Sequence, residues 1–361
     1  MRVAWSAWLA VLACTPVERP RPIPELRLIV SEAWNGGTRL VLVDERGDRW
    51  AILTAGRADG ASRDEQAAVS PDGRWVAFVS SRGRTIDATS LWVMPAAVGA
   101  TATRVTDGTG DDVDPTWTPD GAAVVFARRT GARFGLARVA IAGAPGALAV
   151  GPVEVLTDGV GHHLAPSVGD HGDIAYQEID PVRGDSRIAV RAPDGGVAFV
   201  TDGPLDVTPA WRPGTRALVF ARGAVRDDGR RDLDLWWLDD DAGAPRPVVE
   251  LPDTDDSGPR WSRDGRWLFA TAVAHDEDGA LPSVVYLDAA EPRPTARMLR
   301  DAVGAIARQG PAPMPVALDA AALAGGPAFA AALSAALDER AIARAAVDAG
   351  VGDASAADAG L

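Results

Sequence analysis

Two interleaved repeat series, with a period-two apolar pattern between their members, predict an all-β chain. The expected fold is a six-bladed β-propeller of four-stranded antiparallel blades with a short α-helical C-terminal tail. The first series is a tight-turn motif, Val69-Ser-Pro-Asp-Gly73, Trp117-Thr-Pro-Asp-Gly121, Trp211-Arg-Pro-Gly214 and Trp261-Ser-Arg-Asp-Gly265, with a worn copy at Val168-Gly-Asp-His-Gly172. The second is a strand end running into a turn, Leu53-Thr-Ala-Gly56, Val105-Thr-Asp-Gly108, Leu156-Thr-Asp-Gly159 and Val200-Thr-Asp-Gly203, with degenerate members at Leu251-Pro-Asp253 and Leu299-Arg-Asp301. Positions 54, 106, 157, 201, 251 and 299 are 52, 51, 44, 50 and 48 residues apart. A near-constant period of this size marks an array of like units. Their strand period and abundant Gly exclude a stack of helical repeats.

Taken in order, the chain opens MRVAWSAWLAVLACT. Arg2 supplies a short positive n-region, and Val3 to Ala13 is an apolar run with the length of a signal-peptide h-region. The run ends Val11-Leu12-Ala13-Cys14, which resembles the lipobox of bacterial lipoproteins. Residues 1–13 are thus expected to be a signal peptide, and Cys14, the only cysteine of the chain, the lipidated residue. Residues 14–25 contain Pro16, Pro20, Pro22 and Pro24 and form an extended tether.

The propeller is expected over 26–317. Residues 26–56 supply three strands (LRLIVSE, TRLVLVD, WAILT) of a unit that lacks its innermost strand. A strand from the C-terminal side, around Ala305–Leu318, would complete that unit and close the ring, leaving no open edge. Each later unit passes a turn in which Pro presets φ, Asp bonds the backbone and Gly takes positive φ. An apolar run with an aromatic follows: Trp75-Val-Ala-Phe78, Val124-Val-Phe126, Ile174-Ala-Tyr176, Leu218-Val-Phe220 and Trp267-Leu-Phe269. Third strands read Leu91-Trp-Val-Met94, Leu235-Trp-Trp-Leu238 and Val284-Val-Tyr-Leu287. Trp117, Trp211 and Trp261 recur at one register and mark packing between blades, and Trp236-Trp237 put one ring on each sheet face. Residues 318–350 are Ala-rich, with Phe329, Leu333 and Leu337 at helical spacing, and 351–361 read as a disordered end.

The [Trp/Val]-x-Pro-Asp-Gly turn, the x-x-Ile-x-Phe strand after it and the Leu-Thr-x-Gly between copies resemble the WD-like repeat of TolB-type propellers, over about residues 26–310. The resemblance implies a propeller and a binding role in the envelope. The amino-terminal domain of TolB has no counterpart, because the repeats begin almost at the tether. Related serine peptidases place an α/β-hydrolase domain after such a propeller, but here the last repeat is followed by only about 50 residues without a Gly-x-Ser-x-Gly elbow.

Composition narrows the chemistry. The chain of 361 residues has 50 acidic and 36 basic side chains, all of the latter Arg, for a net charge of −14. With no basic block, a surface that tracks nucleic-acid phosphates is not expected. A single Cys excludes internal disulfides and Cys-clustered metal sites. One column attracts attention: Asp112, His163, Asp206 and Asp256 each stand three residues before a proline, and Asp64 holds the same register before Ala67. Repeated around a ring, these five residues are read as a channel-mouth ring with three roles open. It is a set of turn-forming structural carboxylates, a cation site with oxygen ligands suited to Ca²⁺, or catalytic machinery. His162 and His163 alternate faces and so do not share one ion. His171 and His275 fall in turns, and the acidic runs Asp227-Asp228, Asp239–Asp241 and Asp253–Asp256 fall in loops.

The first functional expectation is a non-enzymatic, lipid-anchored scaffold of the cell envelope, monomeric, whose rigid propeller surface meets a protein or glycan partner. The alternative is a metal-dependent lyase or hydrolase acting on a saccharide at the channel mouth, and a third is a purely structural Ca²⁺-bound envelope protein.

Overall fold

The computed structural model describes residues 27–318 other than 35, 45–48, 55–61, 145, 158–160, 226–230, 240–242, 250–253, 275–281, 291–296 and 299–315. The expected signal peptide, Cys14, the tether, the chain beyond Leu318 and His275 lie outside the described residues. Among the described residues there is no helix, and six four-stranded antiparallel sheets account for the fold.

Blade 1 comprises β1 (Arg27–Trp34), β2 (Gly37–Asp44), β3 (Arg49–Ile52) and β24 (Val316–Leu318). Blade 2 is β4 (Asp64–Val69), β5 (Trp75–Ser80), β6 (Ser90–Pro95) and β7 (Thr103–Arg104), and blade 3 is β8 (Asp111–Trp117), β9 (Ala123–Thr130), β10 (Arg133–Ala144) and β11 (Ala147–Val155). Blade 4 is β12 (His162–Val168), β13 (Ile174–Ile179), β14 (Ser186–Arg191) and β15 (Val197–Phe199). Blade 5 is β16 (Asp206–Trp211), β17 (Leu218–Val225), β18 (Arg231–Leu238) and β19 (Arg246–Val249). Blade 6 is β20 (Thr254–Trp261), β21 (Trp267–Ala274), β22 (Pro282–Asp288) and β23 (Arg297–Met298). The strand missing from blade 1 arrives from the C-terminal side as expected: β24 pairs antiparallel with β1, Val316 against Ile29 and Leu318 against Arg27. First and last segments of the propeller thereby share one sheet, which leaves no free innermost edge.

The tight turns join first to second strands. In blade 3 the Gly121 N–H donates to Thr118 O (2.8 Å) and the Thr118 hydroxyl to Asp120 Oδ1 (2.6 Å), while Gly121 takes φ 68°. Blade 2 repeats this with Ser70, Asp72 and Gly73. The Thr of the second series is equally specific. Thr54, Thr106, Thr157 and Thr201 accept the N–H of Leu40, Leu91, Leu136 and Ile188, tying the end of one blade to its own third strand.

Side chains alternate between the two faces of each blade, so each interface between neighbouring blades becomes a small core. Six separate buried clusters result, one per interface: Phe78 packs with Leu40 and Leu42 between blades 1 and 2, and Phe126 with Trp75 and Leu91 between blades 2 and 3. Tyr176 joins Val125 and Leu136 between blades 3 and 4, Phe220 joins Ala175 and Ile188, Leu268 joins Val219 and Leu235, and Phe269 joins Leu28 and Val41 to close the circle. Each wholly buried aromatic contributes about 1.5–3 kcal/mol from its removal from water. Trp117, Trp211 and Trp261 all lie in these interfaces, and Trp236 and Trp237 part to opposite ones.

Candidate binding mouth of the central channel

The five residues of the expected ring begin the innermost strands, and all five are buried. Each faces the second strand of its own blade, and Asp112 and His163 also meet a threonine from the end of the preceding blade. Asp112 lies opposite Arg128 in the β8–β9 register, and Arg128 Nε donates to its Oδ1 (2.7 Å) and Nη2 to its Oδ2 (3.1 Å). Asp206 lies opposite Arg222 and receives Nε (2.6 Å) and Nη2 (2.9 Å), with the Gly203 N–H as a third donor (3.1 Å). Asp64 accepts Ser80 Oγ (2.7 Å) and pairs with Arg82. The hydrogen bonds to Asp206 hold the Arg222 guanidinium above its ordinary value against burial. Blade 4 inverts the chemistry: His163 faces Glu178 (Nε2 to Oε2 3.6 Å), bonds Thr157 through Nδ1 (2.7 Å) and sets its ring edge-on to Tyr176. His162 turns away, where its Nδ1 accepts the Phe134 N–H (3.4 Å), and His171 is exposed in its turn.

Blade 6 breaks the pattern. Asp256 lies opposite Ala272, so no cross-strand guanidinium reaches it. Burial, followed by the charges of Asp234, Asp232 and Asp255, pushes it up to about 7 against a Thr254 hydrogen bond. The column is thus a set of staples within blades and, where Thr106 Oγ1 of blade 2 donates to Asp112 Oδ2 (2.5 Å) and Thr157 of blade 3 meets His163, between them. Arginine occupies the oxygens that Ca²⁺ would need at Asp64, Asp112 and Asp206, and no group of three His, Cys, Asp or Glu among the described residues is arranged to hold a metal.

The channel itself is lined by residues that follow the ring. All five innermost strands from β4 to β20 carry a bulge, between Glu65 and Ala68, Val113 and Thr116, Leu164 and Ser167, Val207 and Ala210, and Ser257 and Arg260. Two residues after each ring position the backbone enters the left-handed region, at Gln66 (φ 53°), Asp114 (φ 54°), Ala165 (φ 48°), Thr208 (φ 50°) and Gly258 (φ 62°). A bulge re-aims side chains, and here it directs them from blade to blade. Gln66 Nε2 donates to Asp114 Oδ1 (2.6 Å), the Asp114 N–H to Gln66 Oε1 (2.9 Å), the Ala165 N–H to Asp114 Oδ2 (3.0 Å) and the Gly258 N–H to Thr208 Oγ1 (3.1 Å). Burial pushes the Asp114 carboxyl up, against the Ala165 N–H, Arg260 and Gln66.

Two residues further on stand Ala68, Thr116, Ser167, Ala210 and Arg260. Four small side chains leave a cavity of about 470 Å³ on the side of the Pro-Asp-Gly turns, rimmed by Pro71, Pro119 and Pro213 and walled by Trp117, Trp211 and Trp261. The Trp117 indole donates to Ala68 O (3.0 Å), whereas the buried Nε1 atoms of Trp211 and Trp261 meet no acceptor. Arg260 alone sends a charge into this cavity from the small-residue column.

No family model matches the sequence, and no curated protein matches it either. Solved structures do match in shape. The TolB of Acinetobacter baumannii superposes with a TM-score of 0.59 at 13% identity, over 81% of this chain and 66% of that one. The chain folds as a TolB-like β-propeller. A candidate TolB from Agrobacterium tumefaciens gives 0.53 at 15% identity, over 76% and 88%, and a chain of a nidogen/laminin complex gives 0.54 at 10%, over 81% and 98%. The TolB-like propeller thus spans just under two thirds of the Acinetobacter protein, and at these identities the likeness is one of fold.

The bulge column and Arg260 are absent from the motifs read in the sequence. A signal for them was present: the motif-aligned strands carry Ala, Thr, Ser and Ala where blade 6 carries Arg260, one large cation in an otherwise small column.

Proposed function

We propose that this TolB-like propeller is a non-enzymatic binding scaffold of the cell envelope that presents the Pro-Asp-Gly mouth of its channel to a protein partner. The carrying observation is the mouth: a preformed cavity of about 470 Å³, walled by tryptophan and rimmed by proline, on a ring closed by β24. Concave, mostly apolar and rigid surfaces with a few placed polar groups are where ligands dock. Rigidity keeps the ordering cost of association low. The fold is shared with TolB proteins and with a chain of a nidogen/laminin complex, which supports a protein partner. Export and lipidation at Cys14, followed by the proline-containing tether, hold the disc close to a membrane in this reading.

The test is crosslinking and pull-down from envelopes with the rim changed. Pro71→Glu, Pro119→Glu and Pro213→Glu together add charge where blade 6 already tolerates Arg263 in place of proline. Captured partner is expected to fall at least tenfold, whereas Asp107→Lys with Asp202→Lys, on the exposed opposite face, leaves it unchanged. Equal capture by the rim variant rules the mouth out as the contact surface. Cys14→Ser is expected to move the protein from the membrane to the soluble fraction, and persistence in the membrane would overturn the lipid anchor.

A further inference from the structure

Arg260 stands out as a charge without a function in the fold. Its strand position is the one filled by Ala68, Thr116, Ser167 and Ala210 in the other blades, so packing there asks for a small residue. The arginines that reach the ring carboxylates of blades 2, 3 and 5 each close a staple: Arg82 on Asp64, Arg128 on Asp112, Arg222 on Asp206. Arg260 makes no side-chain hydrogen bond or ion pair with any described residue. The nearest compensating charge is Asp114 on the opposite blade, whose two oxygens are already engaged by Gln66 and the Ala165 N–H. Desolvation lowers the guanidinium from its ordinary value while Asp114 raises it. Arg260 is half-buried in the channel wall, and a guanidinium that lines a cavity without a protein acceptor is poised for an anion.

We infer that Arg260 is the anchor of an anion site inside the channel mouth, and that it takes a carboxylate carried by an extended peptide segment of the partner. This rests on the binding-mouth reading and adds to it the chemical group recognised. Three observations choose the ligand. Asp170, Asp264 and Arg263 also line the cavity but have partners of their own, and with Asp114 opposite, the one guanidinium left without an acceptor matches a single negative charge better than a phosphate dianion. Guanidinium and carboxylate also match in geometry, forming two parallel hydrogen bonds. The lining is mixed, with Ala67, Val69, Pro115, Val168 and Ala210 beside the hydroxyls of Ser70, Thr116 and Ser167, which suits the apolar side chains and polar backbone of a peptide together.

The test titrates the full-length protein with N-acetylglycine, which has one peptide group and one carboxylate, at constant ionic strength. Tryptophan fluorescence and melting temperature report binding. N-acetylglycinamide, glucuronate and inorganic phosphate are the comparison probes. Wild type is expected to show a saturable response to N-acetylglycine at least tenfold stronger than to the other three. Arg260→Met should abolish it while folding at least as well as wild type, because it removes an unpaired cation. Thr116→Glu, which retains Arg260 but sets a carboxylate at the same level of the opposite blade, should abolish it too. An unchanged response in Arg260→Met overturns the inference, and so does a stronger response to glucuronate or phosphate than to N-acetylglycine. The two readings fail separately. If Arg260→Met titrates and captures partner as wild type does while the rim variant captures none, the anchor is wrong and the mouth stands. If the rim variant captures normally but Arg260→Met loses the N-acetylglycine response, the anion site stands and the mouth is not the partner surface.

Discussion

Removing Arg222 tests whether the Asp–Arg staples hold the blades together. Asp206 is fully buried, and its two oxygens receive Nε and Nη2 of Arg222 at 2.6 and 2.9 Å. Breaking a buried pair from one side costs about 3–5 kcal/mol, because the remaining charge is stranded. Arg222 keeps 19% of its side chain exposed and Gly203 N–H still reaches Oδ2, so the expected loss lies near the lower end, about 3 kcal/mol. Blade 6 shows what a stranded carboxylate does: without an arginine opposite, Asp256 is pushed up to about 7. The difference between Arg222→Ala and wild type should therefore be about 3 kcal/mol at pH 8. Urea unfolding of both proteins at that pH measures it. A difference below about 1 kcal/mol refutes the reasoning.

Further outcomes follow from the same geometry. Asp256 has a folded-state value raised above its unfolded one, so its contribution is harmless below about pH 4 and grows unfavourable as pH rises towards 7; Asp256→Asn should therefore stabilise by about 2 kcal/mol at pH 8 and by little at pH 4, read from urea midpoints. Phe126→Ala empties a wholly buried site between blades 2 and 3 and is expected to cost about 3–5 kcal/mol in the same assay. Gly135→Ala should be far more damaging than Gly121→Ala by melting temperature. A Cβ at 135 would meet Thr157 O at 2.5 Å, whereas at 121 it meets Pro71 Cδ at 3.6 Å and only φ 68° opposes it, at about 1 kcal/mol. Asp120, held below its ordinary value by the Thr118 hydroxyl and Ala122 N–H, contributes stability above about pH 4 that is lost on acidification, so Asp120→Asn should flatten the acid limb of the stability profile.

Blade number, strand order and the closing strand were legible because they depend on local chemistry repeated many times. A Pro-Asp-Gly turn needs only its own residues, and Leu40 and Leu91 find their threonine partners within one unit. The aromatic of each second strand also declared its burial, since Phe78, Phe126, Tyr176, Phe220 and Phe269 recur at one place and all sit in interfaces. Side-chain direction at the innermost strands was not legible in the same way. Asp112 and Asp114 differ by two residues and on a regular strand would share a face; the bulge at Val113/Thr116 sends the first into its own blade and the second towards Gln66 and Ala165. Without the positive φ at Asp114, no spacing rule separates a staple from a channel residue.

What a repeat shows about function lies in the places where one copy departs from the rest. Arg82 on Asp64, Arg128 on Asp112 and Arg222 on Asp206 recur because blades 2, 3 and 5 have the same buried carboxylate to satisfy, so they point to folding. Both departures of charge in blade 6 run the other way. Asp256 has lost its arginine, and Arg260, four residues later, has gained a position that small residues fill elsewhere. Neither change helps the blade: one strands an acid and the other a base, on a strand whose packing is otherwise that of its neighbours. A fold selected for stability alone would keep Arg opposite Asp256 and Ala or Ser at 260. Blade 6 therefore gives up stability at two points, and the second faces a cavity of about 470 Å³ open to solutes, where an anionic ligand can supply the compensation that the protein withholds.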